Sequence, residues 1–400
     1  MTGVAALPRD VVLLHIGPHK TGTTTLQGAF VSAREKVARH GVHYAGRRRQ
    51  PYLAILSVTG APGRPGDPPR TEKHWRKLVN EVTAASAAGQ RVVISSERCA
   101  DAGPDAIRRM VNELGGSRVH VLVTLRPFAK ILPSHWQQAV QNGLETPYEE
   151  WLDRTLNVPR AESPSGRFWL RHAHDELVER WAAVVGAENV TVLVLDENDR
   201  EMYLRSMEAM LELPRGILVP EEALVNRSLT LGEVEVIRVI NGEYKRQQWP
   251  GSAYARFVRL GIIASMQERK PAPGEARIVT PEWAQTCAAE IGSAAAQKIE
   301  ALGVNVIGDL RSLAAVSKSS SNATDDASGD TEVPAVVAGR ALAVTIAAAL
   351  ADEPADEPEP TRALTMDDVT LRSDRSRRVV RLARMHARAT VRRLARRRRG

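Results

Sequence analysis

The chain has 400 residues, 43% hydrophobic and 26% charged, which is enough apolar material for a large folded core without covalent staples. Its two widely spaced cysteines, Cys99 and Cys287, exclude a disulfide framework and a cysteine-based zinc site and fit a reducing cytoplasm. The net charge of +8 is unevenly spread: 371–400 carries thirteen arginines against one acid, and 323–370 eleven acids against two arginines.

In chain order, the first ten residues hold one arginine and one aspartate and run into the short apolar stretch Val11–Ile16. That pattern predicts a strand entering a loop rather than a secretory leader. Further continuous apolar runs at 91–96, 118–125 and 190–195 predict strands buried on both faces. Amphipathic spacing predicts helices over Thr24–His40, Pro104–Leu114, Phe128–Gln141, His172–Val185 and Arg200–Leu213, and an all-helical stretch beyond 226. Strands alternating with helices imply an α/β fold, a P-loop-like doubly wound parallel sheet with a helical C-terminal part, over 1–315 as one domain.

Residues 316–370 read as an acidic low-complexity linker containing an Ala-rich helix at 333–351. Arg340 interrupts that helix, which is expected to lie on something rather than cross a membrane, so no transmembrane segment is expected. For the Arg-rich tail at 371–400 two readings stay open: a solvated chain, or weak contact with an anionic membrane surface or another polyanion. The expected location is cytoplasmic, with any membrane contact peripheral. Arginine in preference to lysine, together with abundant alanine, indicates a GC-rich bacterial genome.

The first strand is followed by GPHKTGTTTLQ, residues 17–27. A strand, a glycine-bearing loop with a lysine, and a helix make an anion cradle, because loop N–H groups and the helix N-terminus converge on phosphate oxygens. Gly17 and Gly22 allow the tight turn, while Thr21, Thr23, Thr24 and Thr25 are expected to supply hydroxyls and cap the helix. In the nucleoside-triphosphate loop a lysine directly follows the second glycine. Here Lys20 precedes Gly22 by two residues.

That departure resembles the phosphosulfate loop of the sulfotransferases that use 3′-phosphoadenosine 5′-phosphosulfate (PAPS). The form Lys20–Thr25 looks closer to the carbohydrate N-sulfotransferases than to the cytosolic aryl enzymes, which place tryptophan where this chain has Thr25. The family's second mark is an arginine ending a central strand and a serine eight residues later, which hold the donor's 3′-phosphate; Arg126 and Ser134 match it. The resemblance covers roughly residues 10–245. It implies a sulfotransferase with PAPS as donor, His19, Lys20, Thr21, Gly22, Thr23, Thr24 and Thr25 around the 5′-phosphosulfate, and Arg227 as a further contact. No metal is expected.

Lys20 is the expected stabiliser of the leaving oxygen, since in-line sulfuryl transfer builds charge there. Glu97, just past the strand at 91–96, is the expected base, with His43 and His19 as rivals. The acceptor is expected to be a carbohydrate, glycolipid or small molecule. The Gly/Pro-rich stretch 45–70 with Arg47, Arg48 and Arg49, and Trp151, Phe168 and Trp169, are candidates to border it, though a solvated run is the commoner reading of the arginines and core packing that of the rings. Two other readings remain open. One is a P-loop NTP-dependent kinase, given the acidic pair Asp196 and Glu197 at the end of the strand at 190–195. The other is a nonenzymatic nucleotide-binding protein whose basic tail binds polyanions.

Overall fold

The structure, a computed structural model, describes residues 4–63, 67–196, 198–199, 201–221 and 227–316, with scattered positions between 337 and 349. Among the latter, Val337, Ala341 and Thr345 are helical. The remainder of the acidic linker and the whole Arg-rich tail lie outside the described residues.

The order of elements is β1 (Val12–Gly17), α1 (Thr23–Ser32), α2 (Arg34–Arg39), β2 (Val42–Tyr44), α3 (Tyr52–Thr59), α4 (Glu72–Ala87) and β3 (Arg91–Ser95). A 3₁₀ turn over Glu97–Asp101 leads to α5 (Pro104–Leu114) and β4 (Val119–Leu125). Then come α6 (Phe128–Gln141), α7 (Tyr148–Leu156), α8 (Gly166–His172), α9 (His174–Val185), β5 (Val190–Val194) and α10 (Met202–Met210). The chain continues through α11 (Leu231–Arg246) and α12 (Gly251–Ala253), a wide π-helical stretch Tyr254–Ile263, α13 (Ala264–Glu268), α14 (Glu282–Ala301) and β6 (Asn305–Ile307).

All six strands pair in parallel, in the order β2-β3-β1-β4-β5-β6. This is the doubly wound α/β sheet the sequence implies. The chain divides into two compact units. The first, drawn from Met1–Trp136, Tyr148–Asn226 and Val279–Ala323, contains the whole sheet; the second, drawn from Gln137–Pro147, Arg227–Ile278 and the chain beyond Thr324, is helical among its described residues.

In the first unit, side chains alternate across the sheet as strand geometry requires. Val12, Leu14 and Ile16 of β1 join Val92 and Ile94 of β3 and Val121 and Val123 of β4 in a core covered by α4, α5 and α9, with Trp75 and Trp181 among its largest side chains. The opposite face, with Leu13, Val93 and Leu122, packs on α1, α2 and α10 through Leu26, Phe30 and Met207. Both faces are covered, which is why these strands read as unbroken apolar runs.

Some boundaries differ from expectation. The helix expected over Thr24–His40 breaks at Ala33, whose φ of −98° and ψ of 7° end α1 and start α2. The helix expected over Arg200–Leu213 is shorter, at Met202–Met210, and the one expected from His172 starts two residues later, after a break at Ala173. Two strands were not expected: β2 and β6 are three residues each, too short for a periodic signal.

Candidate functional site

β1 lies at the centre of the sheet between β3 and β4, and the loop after β1 opens at the carboxyl ends of all three. In open parallel sheets that is where ligand sites form. Gly17 (φ 81°), Lys20 (φ 70°) and Gly22 (φ 77°) are all left-handed, a conformation lysine adopts only when its surroundings impose it. Gly22 is the N-cap of α1, and no side chain caps it. The threonine cap expected from the sequence is therefore replaced by a bare glycine. The Thr25 N–H turns back onto the Gly22 carbonyl (3.0 Å), and the N–H groups ahead of it on the first turn are placed to meet an approaching anion.

The threonines divide into two pairs. The Thr21 hydroxyl donates to the Pro18 carbonyl (2.7 Å) and meets the Thr124 hydroxyl (2.8 Å), while that of Thr23 reaches the same carbonyl at 3.5 Å. Both are buried and hold the loop's shape. Thr24 and Thr25 are exposed, on the first turn of α1.

Lys20 joins the loop to both neighbouring strands. Its carbonyl accepts from Arg126 Nη1 (3.3 Å), so the arginine that follows β4 is fixed to the loop. Burial lowers the Lys20 pKa to about 8, with Glu97 opposing the shift and Arg126 adding to it. Glu97, just beyond β3, backs onto the loop so closely that a Cβ on Gly17 would lie 3.0 Å from its Cβ. Its carboxylate accepts from Gln27 Nε2 (3.3 Å) through one oxygen and from Gln50 Nε2 (3.2 Å) through the other. Lys20, Glu97 and Arg126 are thus brought together from three adjacent strands.

The other candidates are distributed differently. Ser134, on α6, turns its hydroxyl back onto the Ile131 carbonyl (3.0 Å). His19 feels the charges of Arg171, Arg98 and Lys20; burial first, then those cations, hold its pKa well below the usual histidine value, and its Nε2 finds no hydrogen-bond partner among the described residues. His43, on edge strand β2, pairs through Nε2 with Glu81 of α4 (2.9 Å), which also accepts from Gly46 N–H (2.8 Å). Arg227 belongs to the helical second unit, where both its Nη groups grip the buried Glu233 (2.8 and 2.6 Å) and its Nε donates to the Arg269 carbonyl.

The three aromatic residues follow the core reading rather than that of an acceptor wall. Trp151, Phe168 and Trp169 are buried and packed ring to ring with Phe128 and His135. Of the arginine run, Arg49 pairs with Glu221 (3.1 Å), while Arg47 and Arg48 are exposed. Asp196 accepts from the N–H of Asn198 in a local turn, and Glu197 lies outside the described residues. Among the described residues no group of histidine, cysteine and carboxylate side chains is arranged to hold a metal ion. No helix among them is long and apolar enough to cross a membrane.

Sequence reasoning missed a set of buried polar residues beneath the loop: His15, Gln27, Ser95, Thr124 and Tyr203. A signal was available. His15, Ser95 and Thr124 are polar, sit near the carboxyl ends of mostly apolar strands, and share the parity that turns them all to the α1 face.

No family model matches the chain, and no curated protein does. Among solved structures, a sulfotransferase from Alicyclobacillus acidocaldarius is similar over 59% of this chain and 96% of that one, at 17% identity and a TM-score of 0.39.

Proposed function

We propose that the chain is a sulfotransferase that takes a sulfuryl group from PAPS and passes it to a hydroxyl or amine of a carbohydrate or glycolipid. The observation that carries this reading is the convergence of Lys20, Glu97 and Arg126 at the carboxyl ends of β1, β3 and β4, around an uncapped helix N-terminus. A lysine and free backbone donors suit the donor's 5′-phosphosulfate, and a guanidinium tied to the same loop suits a second phosphate. Sequence spacing supports it independently, through a lysine before rather than after the second glycine, and Ser134 eight residues beyond Arg126.

The reaction forms a bond from acceptor oxygen or nitrogen to sulfur and breaks the bond from sulfur to the phosphate oxygen. The acceptor's proton passes to a base, and adenosine 3′,5′-bisphosphate leaves. In this reading Lys20 neutralises the charge that grows on the departing oxygen. With its pKa near 8 it is mostly cationic at neutral pH, and a bound anion increases that fraction. Glu97 takes the proton, since two glutamine amides hold its carboxylate in place beside the loop. His43 is the rival base: its Nε2 is engaged with Glu81, which leaves Nδ1 as the nitrogen that would take the proton.

The test is isotopic transfer. The full chain is incubated with ³⁵S-labelled PAPS, or with γ-³²P-ATP and magnesium, and a mixture of bacterial cell-envelope glycans and glycolipids. The expected result is ³⁵S in the acceptor fraction, reduced at least about a hundredfold by Lys20→Met and by Glu97→Gln. Incorporation of ³²P instead of ³⁵S, or sulfate transfer indifferent to both substitutions, would sink the proposal.

A further inference from the structure

Polar side chains inside a two-sided apolar sheet need a reason, because each carries a desolvation cost that only a partner offsets. Arg91 and His120 stand at the amino ends of β3 and β4, and three more, one from each central strand, lie towards the carboxyl ends with no exposed surface: His15, Ser95 and Thr124. His15 and Ser95 are register partners in β1 and β3. Alternation puts all three on the face covered by α1 and α10, directly below the lysine loop.

Their hydrogen bonds form two arms that meet at one ring. His15 Nε2 lies 3.2 Å from the Thr124 hydroxyl, which meets the Thr21 hydroxyl at 2.8 Å and the Gly17 carbonyl at 3.2 Å. Thr21 in turn donates to Pro18, and the single Thr124 proton goes to Thr21 or to the Gly17 carbonyl, so this arm ends on the loop either way. On the other side His15 Nδ1 lies 2.8 Å from the Ser95 hydroxyl. Gln27 Nε2 reaches that hydroxyl at 3.3 Å and the Glu97 carboxylate at 3.3 Å. The second arm therefore runs through the first helix of the loop to the carboxylate. The Tyr203 hydroxyl, from α10, closes on His15 Nε2 at 3.2 Å.

We propose that His15 is the positioning residue of this site, the ring that holds the lysine loop and Glu97 in one fixed geometry. The inference rests on the reading above, since it takes the loop and Glu97 as the working parts. Imidazole suits the place because its two nitrogens point in opposite directions and can serve one partner each as donor and acceptor. Burial keeps the ring neutral, with a pKa near 3, so it orders the site without placing a fixed charge under the loop. A carboxamide reproduces only half of it: the amide of Gln extends to the Nε2 position, and that of Asn stops at the Nδ1 position.

Calorimetric titration of the full chain with adenosine 3′,5′-bisphosphate tests this without knowledge of the acceptor. His15→Phe, which removes both arms, is expected to raise the Kd about tenfold. His15→Gln, which keeps the Thr124 arm, should return it to within about threefold of wild type, while His15→Asn should not. Gln27→Leu cuts the other arm at its far end. It is expected to raise the Kd about threefold alone and to add nothing to His15→Phe, as members of one network do. Melting temperatures are recorded for every variant. Affinity that stays at the wild-type value while stability drops equally in all three His15 variants would reduce the ring to a structural role. Additive effects of His15→Phe and Gln27→Leu would show that the arms are not joined through His15. A wild-type chain that binds no bisphosphate overturns the reading of the site itself, and the positioning role with it.

Discussion

Replacing Gly17 with alanine tests the close packing on which the site depends. Gly17 sits at φ 81°, where an L side chain is strained by about 1–2 kcal/mol. The added methyl would also lie 3.0 Å from Glu97 Cβ and 3.1 Å from Glu97 Cα. The second of those is backbone at the start of a 3₁₀ turn, so it cannot be relieved by a rotamer change, and overpacking of this kind costs about 1–3 kcal/mol. Together the two effects predict a loss of about 2–5 kcal/mol, and a loop pushed away from the carboxylate. Urea denaturation followed by tryptophan fluorescence measures the first, and bisphosphate titration of the folded variant the second. A Gly17→Ala protein with unchanged urea midpoint and unchanged affinity would refute the argument, because the loop would then have room that this geometry denies it.

Four other expectations follow from buried charges and close contacts. Because burial lowers the Lys20 pKa to about 8 from 10.5, its cation is lost as pH rises past 8; bisphosphate affinity should fall between pH 7 and 9.5 in wild type and stay flatter in Lys20→Met, and parallel curves would contradict this. The same depression means the unfolded chain binds the more protons between about 8 and 10.5, so the Lys20 contribution to stability rises with pH across that window. His15 and His135 are held near 3 and His120 and His174 near 4, all chiefly by burial, against 6.5 in the free side chain. The unfolded chain therefore binds the more protons below 6.5, and the urea midpoint should drop steadily from pH 6.5 to 5; a constant midpoint would count against neutral buried rings. Finally, Gly292 of α14 faces the Leu313 carbonyl so closely that a Cβ would collide with it. Gly292→Ala should cost about 1–3 kcal/mol by chemical denaturation, and a neutral substitution would mean the turn at 310–314 does not dock on α14.

What the sequence revealed and what it hid have physical reasons. β1, β3, β4 and β5 were legible because both faces of each are covered, leaving runs such as Val119–Leu125 almost wholly apolar. β2 and β6 were hidden because three residues at a sheet edge carry no period, and two of the three in β6 are exposed. The break at Ala33 has no glycine or proline to announce it, and nothing in the structure explains it. At the site, Lys20 could be picked out by its glycine-bearing loop, Arg126 by the resemblance to the second mark of the sulfotransferases, and Glu97 by its place just past β3. Their mutual contacts could not be read, since they depend on the strand order that puts β3 and β4 on either side of β1. Trp151, Phe168 and Trp169 illustrate the opposite problem: aromatic side chains signal burial and ligand walls alike, and only packing shows that these are core. His15 was overlooked because one histidine in a strand resembles any other until its partners on β3 and β4 are known.

The central claim is that the loop, Lys20 and Arg126 hold a nucleotide bearing a 3′-phosphate, and calorimetry addresses it most directly. Adenosine 3′,5′-bisphosphate and ATP with magnesium are titrated separately into the full chain and into Arg126→Ala. The account predicts tight binding of the bisphosphate, weak binding of ATP, and a loss of at least about tenfold in bisphosphate affinity on removal of the guanidinium. Preference for ATP, or bisphosphate binding that Arg126→Ala leaves untouched, would contradict it.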